Sequence, residues 1–186
     1  MAKTESFVTT VNNSGLWGQF TADDGGFDRI RDGQTFVGEE FGNLAVPAGA
    51  TIDGIRIEME GFAGHSSHDT EVGDWISVSN DSGTTFSTAQ SVTTGLWATT
   101  SGTMAVESAG GTSELWGMTW DADSANAIQV RMGWGTTGGD AVYLDYVKVE
   151  IYYTAGTAAP GGTRELPNCN VTSGILVFKG GLTEIK

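Results

Sequence analysis

FGNLAVPAGATIDGIRIEMEGF, residues Phe41 to Phe62, is the stretch whose reading decides the fold. Pro47-Ala48-Gly49-Ala50 reads as a turn, because proline fixes φ and glycine accepts positive φ. Beyond it the side chains alternate. Ile55, Ile57 and Met59 fall on one face, and Arg56, Glu58 and Glu60 on the other. That is the period of a half-buried antiparallel strand. A matching pattern stands far down the chain between Tyr143 and Tyr153, where Val147, Val149 and Ile151 alternate with Lys148 and Glu150. Pairing the two predicts a sheet that joins both ends of a domain about a hundred residues long.

Working outward, Ser6 to Val11 reads as a short strand within an N-terminal arm, residues 1–34. Thr35 to Val46 is the next strand, with Phe36 and Phe41 as core residues. Asp74 to Asn80 follows, with Ile76 and Val78 facing inward. Asn80-Asp81-Ser82-Gly83 is a strong turn signal, and Thr84 to Thr93 is its expected hairpin partner. A short strand is expected at Thr103 to Glu107. Asp121 to Asn126 fits one helical turn capped by Asp or Ser. Ile128, Val130, Met132 and Trp134 share one face of a further strand. Seven to nine short strands with turn punctuation predict an all-β antiparallel sandwich, jelly-roll-like, with a closed barrel as the alternative. The sandwich is placed at residues 35–154. An Ala/Gly/Thr/Pro linker follows at 155–162, and then a tail at 163–186. In that tail Ile175, Leu176, Val177 and Phe178 form an apolar, β-prone run. Four such residues bury little surface alone, so the run is expected to pack on its own sheet or on a neighbouring subunit.

The bulk composition agrees. Of 186 residues, 28 are glycine and only 17% are charged, which suits a turn-rich β protein better than a helical one. The net charge is −14, with 23 acidic residues against 9 basic ones. Phosphate binding needs clustered Lys and Arg, so nucleic acid is not an expected partner. An acidic surface does keep many copies soluble side by side. Cys169 is the only cysteine, which rules out an intrachain disulfide. No run approaches the ~20 apolar residues of a membrane span. Residues 1–10 lack a charged-then-apolar signal segment, so synthesis in a cytoplasm without cleavable export is expected.

Several motifs bear on chemistry. Gly133-Trp134-Gly135-Thr136-Thr137-Gly138 matches a dinucleotide fingerprint, but a strand follows it where the pyrophosphate needs a helix, so it reads as a hairpin. His65 and His68 with Asp69 offer metal-ligand chemistry, yet a third His or a second Cys is lacking, so a solvated loop is the better reading. An EF-hand is excluded because Ala125 and Asn126 stand where it needs an oxygen ligand and a glycine. A loop calcium site remains open through Asp23 and Asp24, or through Asp121 and Asp123; otherwise no cofactor is expected. Of six tryptophans, Trp134 has apolar company and reads as core. Trp75 and Trp97 lack it and are the candidates for a partner or glycan surface, together with His65 and His68. No catalytic residue is assigned: a Ser–His–acid set must draw on a single loop, and no carboxylate pair stands out. The chain is not expected to be an enzyme.

Two blocks together carry a resemblance. One is VPAGATIDGIRIEMEG, Val46 to Gly61; the other runs from ELWGMTWDADSANAIQVRMGW, Glu114 to Trp134, to YLDYVKVEIYYT, Tyr143 to Thr154. The layout resembles β-sandwich virion structural proteins of tailed bacteriophages, over residues 36 to 154. The resemblance implies a jelly-roll-like virion domain and carries over no catalytic residue. Within that class a head decoration (cement) protein fits best, because the chain is too short for a long fibre and lacks coiled-coil heptads. The expected partners are the major capsid protein and further copies of itself, as a dimer or trimer, at the capsid surface. A carbohydrate- or receptor-binding module of a fibre or tail is the alternative.

Overall fold

The computed structural model of the chain describes residues 1–11, 22–31, 35–41, 44–63, 75–92, 104–133 and 141–156. Thr51–Ala63 is a strand, β4, and it lies antiparallel along β9, Ala141–Thr154. Ile55 pairs with Ile151, Ile57 with Val149 and Met59 with Val147, and none of the six is more than 2% exposed. Cross-strand partners share a face, so this ladder is one wall of the core. Just before β4 the amide of Ala50 donates to the carbonyl oxygen of Pro47 at 3.1 Å. Gly49 sits there at φ 76°, as the third residue of a type II turn requires.

The other strands are β1 (Ala2–Val11), β2 (Asp28–Arg31), β3 (Thr35–Phe41), β5 (Trp75–Ser79), β6 (Gln90–Ser91), β7 (Ala105–Gly110) and β8 (Gln129–Gly133). One sheet runs β7-β4-β9-β1, with β2 continuing the place of β1 along the start of β9. The second runs β6-β5-β8-β3. All pairings are antiparallel. With β2 set aside, the strands nest from the outside in: β1 with β9, β3 with β8, β4 with β7, β5 with β6. This nesting is the jelly roll.

β1 belongs to both sheets. Residues 2–7 lie along β9, and Val8 to Val11 lie along β3 after irregular register at Val8 and Thr10. The sandwich therefore begins at Ala2 and not at residue 35: the expected strand at Ser6 to Val11 is present, but it starts at Ala2 and belongs to the sandwich instead of to an arm outside it. Its inward positions are Thr4 and Ser6, opposite Ile151 and Val149. Small hydroxyl side chains there leave no apolar alternation to mark the start of the strand.

Ile76 and Val78 on β5 meet Met132 and Val130 on β8, and with Ile128 they are at most 1% exposed. The expected turn after β5 is present, with Ser82 at φ 57° and Gly83 at φ 80°. The expected partner strand over Thr84 to Thr93 shrinks to Gln90–Ser91. The reason is local side-chain bonding. Asp81 accepts from the amide and hydroxyl of Thr85, and the Ser87 hydroxyl takes the amide of Val78 at 3.0 Å.

Trp116 and Trp120 are buried in the core. Trp116 Nε1 donates to the carbonyl oxygen of Ile55 at 3.1 Å, and Trp120 Nε1 to that of Leu115 at 3.0 Å. The helical turn is α1, Ala122–Asn126, with Asp121 as N-cap in a reciprocal capping box with Ser124. Ala122 and Ala125 face the core. The Asn126 side chain donates to the carbonyl oxygen of Val46 and accepts from its amide, at 3.1 and 2.9 Å. Those two bonds fix the approach to the Pro47 turn. Among the described residues no helix is long and apolar enough to cross a membrane. Trp134, the linker beyond Gly156 and the tail at 163–186 lie outside the described residues.

Candidate functional site

The outward face of the first sheet carries the charged positions of β1, β4 and β9. Glu150 is at its centre and only 4% exposed. Lys3 Nζ stands 2.9 Å from Glu150 Oε1, Arg56 Nη1 lies 3.4 Å from Oε2, and the Tyr152 hydroxyl donates to Oε2 at 2.8 Å. Lys148 bonds Glu58 at 2.6 Å, Arg56 bonds it at 3.1 Å, and the Tyr146 hydroxyl donates to it at 2.9 Å. Lys3 also pairs with Glu5 at 2.6 Å. Burial alone pushes the Glu150 carboxyl up. The bonds from Lys3 and Tyr152 and the charges of Lys3 and Lys148 outweigh it, and hold the group at about 2. Three cations thus neutralise three carboxylates, so this part of the face offers no free positive charge to an anionic partner. Burial and the Glu58 carboxylate push the Tyr146 phenol well above its usual value.

Further along the same face the charge is unbalanced. Register slips between Glu60 and Gly61, which pair with Tyr146 and Leu144, so Asp145 is the extra residue of a β-bulge. A bulge re-aims side chains. Leu144 enters the core, while Asp145 turns outward beside Tyr146. There the carboxylates of Asp145, Glu60 and Asp23 converge, with one oxygen of each within 4.8 Å of the others. Asp145 is 1% exposed. Its Oδ2 accepts from the amide of Gly25 at 3.1 Å, and its Oδ1 has no partner among the described residues. Burial raises the pKa of Asp145, the amides of Gly25 and Asp24 pull it back, and the charges of Asp24 and Asp23 add to the rise. Glu60 is raised by burial and by Asp23, Asp145 and Glu58.

The cover over these groups is the chain from 22 to 31. Phe27 meets Phe62 and Tyr143 edge-on at 5.1 and 5.5 Å, while Phe62 and Tyr143 stack at 4.7 Å. β2 then pairs with residues 141–144 of β9. Phe62 is buried in this trio, while Phe27 stays 43% exposed.

Strand ends divide the molecule into two poles. At one, Ala2 lies opposite Tyr153, and Thr51 opposite Thr154. At the other, Arg31 pairs with Ala141, Ala63 with Val142 and Ala105 with Gly61, and on the second sheet Trp75 and Thr35 flank Gly133. Trp75 is half-buried on the outward face there, over Gly133, where any Cβ would collide with its indole. The Arg131 guanidinium stands 5.2 Å from the Trp75 ring and 4.1 Å from the Phe86 ring.

Of the side chains that the sequence singles out, Trp75 is thus placed on a surface. His65, His68, Trp97, Ile175, Leu176, Val177 and Phe178 lie outside the described residues. The two calcium pairs separate. Asp121 is committed to capping, accepting from Ser124 N at 2.8 Å and from its hydroxyl at 2.7 Å. Asp24 accepts from Gly26 N at 2.8 Å. Only Asp23 joins a three-carboxylate group among the described residues, and its companions Glu60 and Asp145 were not singled out. The signal was readable: Leu144 and Val147 are three apart, where a regular strand needs an even spacing. No family model, curated protein or solved structure matches the chain.

Proposed function

We propose that the chain is a structural protein of a tailed-bacteriophage virion, a capsid decoration protein that binds and stabilises the assembled head. The observation that carries this reading is the shared pole of Ala2, Tyr153 and Thr154 on neighbouring strands. Residues 155–156 follow β9 at that pole, and in this reading the jelly roll is displayed from there. The fold is also the one that the resemblance to phage virion proteins implies. The acidic net charge of −14 suits dense display by mutual repulsion. In this reading Ile175 to Phe178 add a strand to a sheet edge of the capsid protein or of a second copy, where main-chain bonds supply affinity. A protein that binds only the assembled shell shifts the balance against disassembly.

A second reading, a glycan- or receptor-binding module of a fibre or tail, is favoured by Trp75 near the opposite pole, with Arg131 between its ring and that of Phe86. One experiment separates the two. Full-length chain and a chain ending at Thr154 are mixed with undecorated phage heads, and in parallel with a glycan panel. The decoration reading expects saturable occupancy and a higher shell melting temperature with the full chain, and loss of both on truncation. Binding to glycans without binding to heads moves the function to host recognition.

A further inference from the structure

We propose that Asp23, Glu60 and Asp145 form a calcium site that fastens the 22–27 loop to the outward face of the first sheet. The three oxygens come from three separate places in the chain and lie within 4.8 Å of one another. Calcium binds oxygen ligands at about 2.3–2.6 Å, so ligands across one ion are about 4.6–5.2 Å apart. The all-carboxylate donor set is that of a hard cation, with no nitrogen or sulfur to favour zinc or copper.

A crowd of acidic side chains on an acidic protein means little alone. The second observation is Asp145. It is 1% exposed, and its Oδ1 meets no donor among the described residues. A buried carboxylate oxygen without a donor is costly unless something positive faces it. Among the described side chains of this face, the cations Lys148 and Arg56 are engaged by Glu58 and Glu150. The bulge at Asp145 is what turns this carboxylate toward Glu60, and the Gly25 amide on Asp145 Oδ2 brings Asp23 within reach. Asp23 is exposed, so one side of the site opens to water, which completes the six to eight ligands that calcium takes. The bound ion ties loop 22–27 to β4 and β9. The site is built from residues of the sandwich and its 22–27 loop alone, and it stands whether or not the decoration reading does.

The test uses the full chain, stripped with EDTA and titrated with calcium chloride. Calorimetry should show one saturable site, and the melting temperature should rise by about 5–10 °C at free calcium a hundred times the dissociation constant. The Gly25 amide should exchange more slowly when calcium is present. Asp145→Asn should fold, melt in EDTA at or above the parent temperature because a buried charge is gone, and lose the calcium response. Glu60→Gln serves as the second variant and should weaken binding at least tenfold. Asp123→Asn, which removes an acidic group on α1, should bind as the parent does. No saturable one-to-one uptake by the parent overturns the proposal. So does equal uptake by Asp145→Asn and Glu60→Gln, or a larger shift with magnesium than with calcium.

Discussion

Replacing Glu150 by glutamine removes the centre of the ion-pair mesh while keeping its shape. In the folded chain the carboxyl falls from 4.5 to about 2. At ~1.4 kcal/mol per pKa unit, that gap is worth ~3 kcal/mol at neutral pH. Lys3 and Arg56 are 41% and 34% exposed, so water screens part of their attraction and ~3 kcal/mol is an upper figure. A carboxylate held below its unfolded value stabilises the fold above that value, and the contribution is lost as pH falls through the folded one. The loss therefore starts below about pH 5, less than half remains near pH 3, and almost none below about pH 2. Other carboxylates titrate in the same range, but a comparison of the two proteins at each pH cancels them. The assay is urea unfolding followed by tryptophan fluorescence at pH 7, 5 and 3. Glu150→Gln should be less stable by up to ~3 kcal/mol at pH 7, and the difference should shrink by more than half at pH 3. A difference that stays constant across that range, or one below ~1 kcal/mol at pH 7, refutes the account of the mesh.

Two further substitutions probe the frame that carries the site. Gly110 sits at φ 77°, and a Cβ there would collide with the carbonyl oxygen of Ile55 and crowd the Trp116 indole. Gly110→Ala should cost at least about 1–3 kcal/mol from backbone strain alone, read as a lower urea midpoint. Asn126→Ala removes both bonds to Val46 and should cost about 2 kcal/mol by the same assay, with the Pro47 turn exchanging its amides faster.

The pairing of β4 with β9 was legible because both strands alternate cleanly, and Ile55, Ile57 and Met59 find Ile151, Val149 and Val147 as the pattern demands. The turns at Pro47 and Asn80 and the cap at Asp121 were legible because each rests on local chemistry. Of β1 only Ser6 to Val11 was legible; its start at Ala2 was not, because its inward residues there are Thr4 and Ser6 and its partner lies at the other end of the chain. The extent of the strand after Thr84 was not, because Asp81 and Ser87 compete for the backbone there. The acidic cluster was half legible: Asp23 was a candidate, but its neighbours depend on a bulge and on long-range pairing. Only the odd interval from Leu144 to Val147 betrays that bulge in the sequence.

The position of β9 also bears on how the protein is made. It lies between β4 on one side and β1 with β2 on the other, so the middle of this sheet is the last of its strands to be synthesised. Until Ala141–Thr154 emerges, β4 has only β7 to pair with, and residues 2–7 of β1 wait for a partner about 140 residues away, while Val8 to Val11 have β3. Such long-range closure slows folding into the range of milliseconds to seconds. Meanwhile one edge of β4 is open to other nascent chains. Arg56, Glu58 and Glu60, on the outward face of that strand, are charges of the kind that guard an unpaired strand against sticky encounters. The charges that later form the mesh thus have an earlier task, keeping an unfinished sheet soluble until its central strand arrives.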